Sequence, residues 1–563
     1  MTVPARFAIT VTYEALIGRP STEEEFIKEM SEYKQDELIH LTCIFNHFLD
    51  TWQGGVNYEA HEHLIYAYCP PEIIQKIKLL PRYDGNPRYL FHRLQLLSLM
   101  KRAILSEGKG QKHPFSISNN GNVWKLLAIA NEHIQLSQPS TQDTKEKELA
   151  AICNFISATE FSRSHVRHRS KLARSTWLYK NFIEKFPLNI EQIFHKNTGL
   201  TITEYLGLCV GVMTYYFTDA APDMIKQDPS KLFFDGMDWF KACTLDKAKI
   251  ENFLLGISFS FEEFKSAFVE RNSGITDFTP LKNRPLIRHK SKYWIIDLHF
   301  LIDKIDSGIF WKIHEYLPSN QRERFHQDWG VNFQDYVNWL LKLSCKNDLN
   351  KVLEAPKFLQ SHDEVCDTII VCGNSAVFIE AKGGLLTTEA KYGGNPQLLF
   401  EELKKKLIGN EEKRKGVTQL THSINTSFNK ENYRPIEGLD FSKISTIFPV
   451  LLLKDDLGEC LFISHFLNRF FKPLIQRKKI KPKVVTPLFC LGIETMEEIS
   501  GYLEEVSLVS LLKSWYKNDP ALFGSFLAIE NSVKQKAGGR QNDLLVQEEN
   551  KLWSSVTAEL FPG

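Results

Sequence analysis

Two short β-prone runs on either side of Gly373-Asn374 constrain this chain more than any other stretch. Thr368–Cys372 and Ala376–Ile379 are apolar, and a Gly-Asn pair between such runs predicts a two-residue hairpin turn. With the turn confined to those two residues, Cys372 lies opposite Ser375, and the pairing runs back through Ile370 and Val377 to Asp367 and Glu380. Directly opposite residues share a face, with Cβ atoms about 5 Å apart. Side chains alternate along a strand, so Lys382 falls on the face of Glu380 while Ala381 points away. The hairpin therefore gathers two carboxylates and an ammonium at one spot, and the two acids come from different strands.

Carboxylates that face each other across a ladder repel, so the pair demands a cation. Lys382 supplies part of that charge. A divalent metal would supply more, and hard oxygen ligands with open water positions suit Mg²⁺ or Mn²⁺. A metal held there can activate water and stabilise the charge that builds on a phosphate under attack. Lys382 would then orient the water or steady the phosphorane. The pattern resembles the PD-(D/E)xK nuclease superfamily, in which an Asp at the start of one strand and Glu-x-Lys on the next form the active site. The resemblance implies Asp367, Glu380 and Lys382 as catalytic residues, with Asp367 and Glu380 as metal ligands. Asp…Glu-x-Lys alone recurs by chance in a chain that is 24% charged, so the hairpin context gives the motif its meaning. The bland reading is an edge hairpin with solvated charges.

The flanks fit the resemblance, which implies a helix before the Asp strand and an α-β unit after the Lys strand. Phe333, Tyr336, Val337, Leu340 and Leu341 have helical spacing, with Asn332 as the expected N-cap. Superfamily members often carry a Glu on this helix; here Gln334 and Asp335 stand in its place, and whether either joins the site is left open by the sequence. Downstream, Lys413-Arg414-Lys415 precedes a helix carrying Gln419, the expected fourth catalytic residue. Strands are expected at Thr446–Leu453, with Pro449 arguing for an edge or a bulge, and at Val484–Leu491. A helix follows near Met496–Leu503, with Thr495 as cap.

A net charge of +1 excludes global attraction to nucleic acid, so local patches must supply it. Arg163, Arg167, Arg169, Lys171 and Arg174 form the densest basic run, and Lys413, Arg414 and Lys415 lie nearest the hairpin. Both are expected to contact phosphates without reading sequence. His61-Glu62-His63 lacks the i, i+4 spacing of helical zinc ligands and reads as polar side chains facing solvent. No Walker-type loop appears. Ten scattered cysteines in apolar segments, among them Cys153, Cys209 and Cys345, read as reduced, buried thiols. No apolar run approaches a membrane span and no secretion signal opens the chain, so a cytoplasmic protein is expected.

At 563 residues, two or three domains are expected. Residues 1–275 read as a mainly helical sensor or interaction region, with a Thr201/Glu204 capping box, a capped helix after Ser21-Thr22, and a surface loop at 137–147. Residues 276–325 read as a linking hairpin, at Arg284–Asp297, and a helix; 326–510 as the nuclease-like domain; 511–563 as a helical extension. The fold class expected is multidomain, α plus α/β, with a restriction-endonuclease-like mixed sheet in the C-terminal domain. The resemblance implies a Mg²⁺- or Mn²⁺-dependent endonuclease acting on DNA rather than RNA, as a homo-oligomer or with a partner protein, in prokaryotic antiviral defence. The alternative is a non-catalytic nucleic-acid-binding or oligomeric scaffold on a degenerate nuclease fold.

Overall fold

Reciprocal caps open helices of the N-terminal half. Thr22 Oγ1 accepts from Glu25 N at 3.1 Å while Glu25 reaches back to Thr22 N, starting Glu23–Ser31. Thr201 and Glu204 do the same for Ile202–Thr218. The computed structural model describes residues 10–51, 57–81, 88–106, 123–134, 168–271, 276–347, 349–460, 462–522 and 542–561, with a few single positions between them. The loop expected at 137–147 lies outside the described residues.

Among the described residues the N-terminal half is helical apart from two short strands that period reading missed, β1 (Phe233–Asp235) and β2 (Ser258–Phe259). They flank the expected hairpin, β3 (Leu286–His289) and β4 (Lys292–Ile295), in a four-stranded sheet of order β1-β4-β3-β2. Arg93 ties this sheet to the helices: buried, it donates from Nη2 to Asp297 Oδ1 at 2.7 Å, and Asp297 in turn caps Leu298–Asp303 through Phe300 N. Among the described residues no helix is long and apolar enough to cross a membrane.

The second sheet joins β5 (Lys351–Glu354), β6 (Thr368–Cys372), β7 (Ser375–Lys382), β8 (Thr446–Leu453) and β10 (Phe489–Gly492), with the two-residue β9 (Val484–Val485) also on β8. Strands β5 to β7 are antiparallel; β8 runs parallel to β7, and β10 parallel to β8. Pro449 therefore stands in a central strand, not at an edge. Ile447 O accepts from Thr486 N, so Pro449, two residues on, faces the same side, at the break where β9 has ended and β10 has not begun. The missing N–H falls where no partner strand needs it. The same break splits the single strand expected over Val484–Leu491.

The long α2 (Ser319–Ser344), α3 (Gly416–Ser427) and α4 (Ile493–Ser500) pack on this sheet, while α1 (His168–Lys185) lies against α2, α4 and α5 (Asp543–Leu560). Asn332 is not an N-cap: α2 runs through Gly330, and Asn332 is buried mid-helix, donating to Leu178 O at 2.9 Å and accepting from Asn181 Nδ2 at 2.7 Å. A helical glycine costs only about 1 kcal/mol, less than burial of Trp329 beside it returns. Thr495 likewise lies inside α4, where its N–H and hydroxyl both donate to Glu459 Oε1. Helix α5 packs along α1 and reaches Ile202–Thr218, where Gly207 lets Leu560 and Val556 approach the backbone.

Candidate active site

The hairpin register is the expected one. Cys372 pairs with Ser375, Ile370 with Val377 and Thr368 with Ile379, which sets Asp367 opposite Glu380 one step beyond the last paired residues. Only the first turn residue, Gly373, takes a positive φ (58°), the pattern of a II′ turn. At the far end of the hairpin, Asp367 Oδ2 accepts from Ala381 N at 2.6 Å, locking the carboxylate across the ladder. Glu380 is fully buried, and Lys382 Nζ donates to its Oε1. The same ammonium reaches Gln419 Oε1 on α3 at 3.3 Å. Helix α3 is itself fastened to the approach to Asp367, because Ser423 Oγ donates to Val365 O. Asp367, Glu380, Lys382 and Gln419 thus converge.

Burial raises the pKa of Asp367 well above the ordinary carboxylate value, and the neighbouring Glu380 raises it further. Burial also raises Glu380, against the opposing pull of Lys382. For Lys382, burial works against the ammonium, but Glu380 and Asp367 outweigh it and hold the pKa above that of free lysine. One ammonium does not settle the site: Glu380 Oε2 is buried and has no hydrogen-bond partner among the described residues. A buried carboxylate oxygen left bare costs about 1–3 kcal/mol or more. A cation against Oε2 removes that cost, and a donor set of carboxylate oxygens fits a hard divalent ion.

Gly383 shows how closely α2 sits over this corner. A Cβ added there would stand 2.7 Å from Phe333 Cβ. Gly383→Ala is expected to lower stability by about 1–3 kcal/mol, read by urea unfolding, and to displace the adjoining Lys382. On α2 the neighbours of Phe333 diverge. Gln334 Nε2 donates to Glu364 Oε1 at 2.6 Å, whereas Asp335 pairs with Lys185 on α1 and takes no part in the site.

The basic patches divide. Lys413, Arg414 and Lys415 are exposed at the start of α3, and the charge of Lys415 acts on Glu380. Arg163 and Arg167 lie outside the described residues. Arg169 is half exposed and pairs with Glu549 at 3.7 Å. The expectation for Lys171 and Arg174 is corrected: both are buried. Lys171 pairs with Asp303 at 2.8 Å and Glu494 at 3.1 Å, and Arg174 with Asp306 at 2.8 Å and Glu497 at 2.6 Å. Neither ammonium nor guanidinium is free for a phosphate.

His61 is also corrected, being buried and accepting from Leu90 N at 2.6 Å. Cys153, Cys209 and Cys345 are buried free thiols. A second group of acids, Glu160, Asp303 and Asp456, brings ligand atoms within 4.8 Å of one another. Lysines already fill it: Lys282 lies 2.6 Å from Glu160 and 3.0 Å from Asp303. No family model, no curated protein and no solved structure matches this chain, so the geometry of the Asp367–Glu380–Lys382 corner is what supports a function.

Proposed function

We propose that the chain is a metal-dependent nuclease that hydrolyses phosphodiester bonds. The observation that carries the reading is Glu380 Oε2, buried beside Asp367 and Lys382 with no hydrogen-bond partner among the described residues. The element order supports it: α2, three antiparallel strands, α3 and a parallel β8 follow the succession that a restriction-endonuclease-like core has around its hairpin. Asp367 and Glu380 would hold Mg²⁺ or Mn²⁺. That ion would supply water activation and charge neutralisation at the phosphate. Lys382, fixed between Glu380 and Gln419, holds the attacking water or the phosphate oxygens. Exposed Lys413, Arg414 and Lys415 take the flanking backbone of the substrate, for which DNA is the favoured class. A cytoplasmic defence nuclease is the setting this chemistry suits.

The test is incubation of the purified protein with plasmid, linear DNA and RNA, in Mg²⁺ and in EDTA. Cleavage in Mg²⁺ that EDTA stops is expected. Tight binding of nucleic acid without cleavage in either Mg²⁺ or Mn²⁺ would replace the enzyme by a binding scaffold.

A further inference from the structure

Arg477-Lys478-Lys479-Ile480-Lys481-Pro482-Lys483 is a third basic run, and the fold keeps its charges at the surface. Ile480 and Pro482 are buried, which turns Lys479, Lys481 and Lys483 outward. Backbone bonds stitch this run to the segment that leaves α3. Asn429 and Ile480 form an antiparallel bridge, Lys430 N donates to Lys479 O at 2.8 Å, and Lys481 N donates to Phe428 O at 2.9 Å. Lys430 Nζ donates to Lys478 O at 2.9 Å. The two segments therefore make one face. Lys430, Lys478, Lys479, Lys481 and Lys483 are all exposed on it, and none of them pairs with an acid among the described residues. Glu431 is the one acid in residues 428–433 and 477–483. Like charges gathered this closely repel, so an anion against the face is favoured.

The same face carries an aromatic ring. Tyr433 is 47% exposed, backed by Phe441 with ring centroids 5.8 Å apart, and Lys481 Nζ lies 4.7 Å from the Tyr433 centroid. The next residue anchors the loop: Arg434 N donates to Thr426 O at 3.3 Å, and its guanidinium lies 4.3 Å from the Phe358 centroid. Ammonium groups neutralise phosphates and a flat ring stacks on an unpaired base, and together they suit a single strand of nucleic acid. We infer that this face binds such a strand, with Lys479, Lys481 and Lys483 on its phosphates and a base against Tyr433. The inference deepens the nuclease reading and rests on it for the class of substrate. Helix α3 joins the two places: Gln419 in its first turn meets Lys382, while Asn425 in its last turn donates to Leu474 O at 2.8 Å and accepts from Gln476 N at 3.1 Å. From Gln419 to Ser427 the helix rises about 12 Å, so the face takes the strand a few nucleotides from the cutting centre.

Fluorescence anisotropy of the full chain with a labelled single strand of ~20 nucleotides, in EDTA so that nothing is cut, tests the assignment. Replacing Lys479, Lys481 and Lys483 together by Gln is expected to weaken binding by ~10-fold or more and to lower the slope of log affinity against log salt by about 2, the loss of three phosphate contacts. Tyr433→Ala is expected to weaken binding by ~5-fold or more with the slope unchanged, and Tyr433→Phe to bind like wild type. A duplex of the same sequence should bind more weakly and ignore Tyr433→Ala. Every substituted side chain is exposed, so the wild-type melting temperature is expected throughout. Wild-type affinity and slope in the triple variant would overturn the face. Equal displacement by inorganic polyphosphate, with Tyr433→Ala binding like wild type, would overturn the base contact, and a duplex bound as tightly as the single strand would overturn the strand preference. Cleavage in Mg²⁺ separates the two readings. Cleavage by wild type with no loss of binding in any variant overturns the face alone. Binding lost in the variants with no cleavage by wild type leaves the face standing and overturns the nuclease reading.

Discussion

Lys382→Ala is expected to reduce Mg²⁺-dependent cleavage by roughly 10²–10³-fold, the loss typical of removing one preorganised charge from a developing oxyanion. Its ammonium is the cation that Glu380 Oε1 and Gln419 Oε1 hold in place, so no neighbouring group replaces it. The variant should also reveal what the lysine does for the fold. Without it, Glu380 keeps no hydrogen-bond partner on either oxygen among the described residues, and only the exposed Lys415 offsets the like charge that Asp367 faces. The metal-free protein should therefore lose about 1–3 kcal/mol, and divalent ion should restore part of that by binding the folded state. Glu380→Gln should lose cleavage to a similar extent while relieving the repulsion on Asp367. Wild-type cleavage rates in both variants would sink the assignment of the site.

The largest stability effect is expected at Arg174. Its guanidinium is 1% exposed, and it donates to both oxygens of Glu497 and to Asp306. Tyr336 on α2 completes Glu497 at 2.7 Å, and Lys454 at the end of β8 completes Asp306 at 2.7 Å. Arg174→Ala leaves two buried carboxylates short of charge and should cost about 3–5 kcal/mol, read as the midpoint shift in urea. The cost depends on pH, and the sign follows from Glu497. Burial pushes its carboxyl up to about 6 although Arg174 pulls it down. An acid whose folded pKa lies above its unfolded value of about 4.3 subtracts stability as pH rises through that window. Removing Arg174 raises the folded value further, so the variant should lose more at pH 7 than at pH 5. Glu497→Gln added to Arg174→Ala should recover about 1–2 kcal/mol and flatten the pH profile. A loss below about 1 kcal/mol at pH 7 would show that solvent reaches these groups.

The buried network also explains what the sequence hid. Lys171 and Arg174, Asp303 and Asp306, and Glu494 and Glu497 are each spaced i, i+3, so each pair presents both charges on one side of its helical turn. From sequence alone, the first pair belonged to a basic run suited to phosphate. Its true partners are remote in the chain and carry no local mark. The hairpin was legible for the opposite reason: a two-residue turn fixes register, and register fixes which side chains meet. The same locality recovered the Thr22 and Thr201 caps and the Gln419 helix. It failed at Asn332, where tertiary bonds to Leu178 and Asn181 carry the helix through a glycine, and at Pro449, whose tolerance depends on a gap between two other strands.

Helix α5 bears on how the protein is made. Its seat is formed by α1 and Ile202–Thr218, elements that leave the ribosome long before residues 543–560 do. At ~5–20 residues per second, that interval lasts on the order of tens of seconds. Throughout it the face awaiting Leu552, Val556 and Leu560 is uncovered, a target for chaperones and proteases alike.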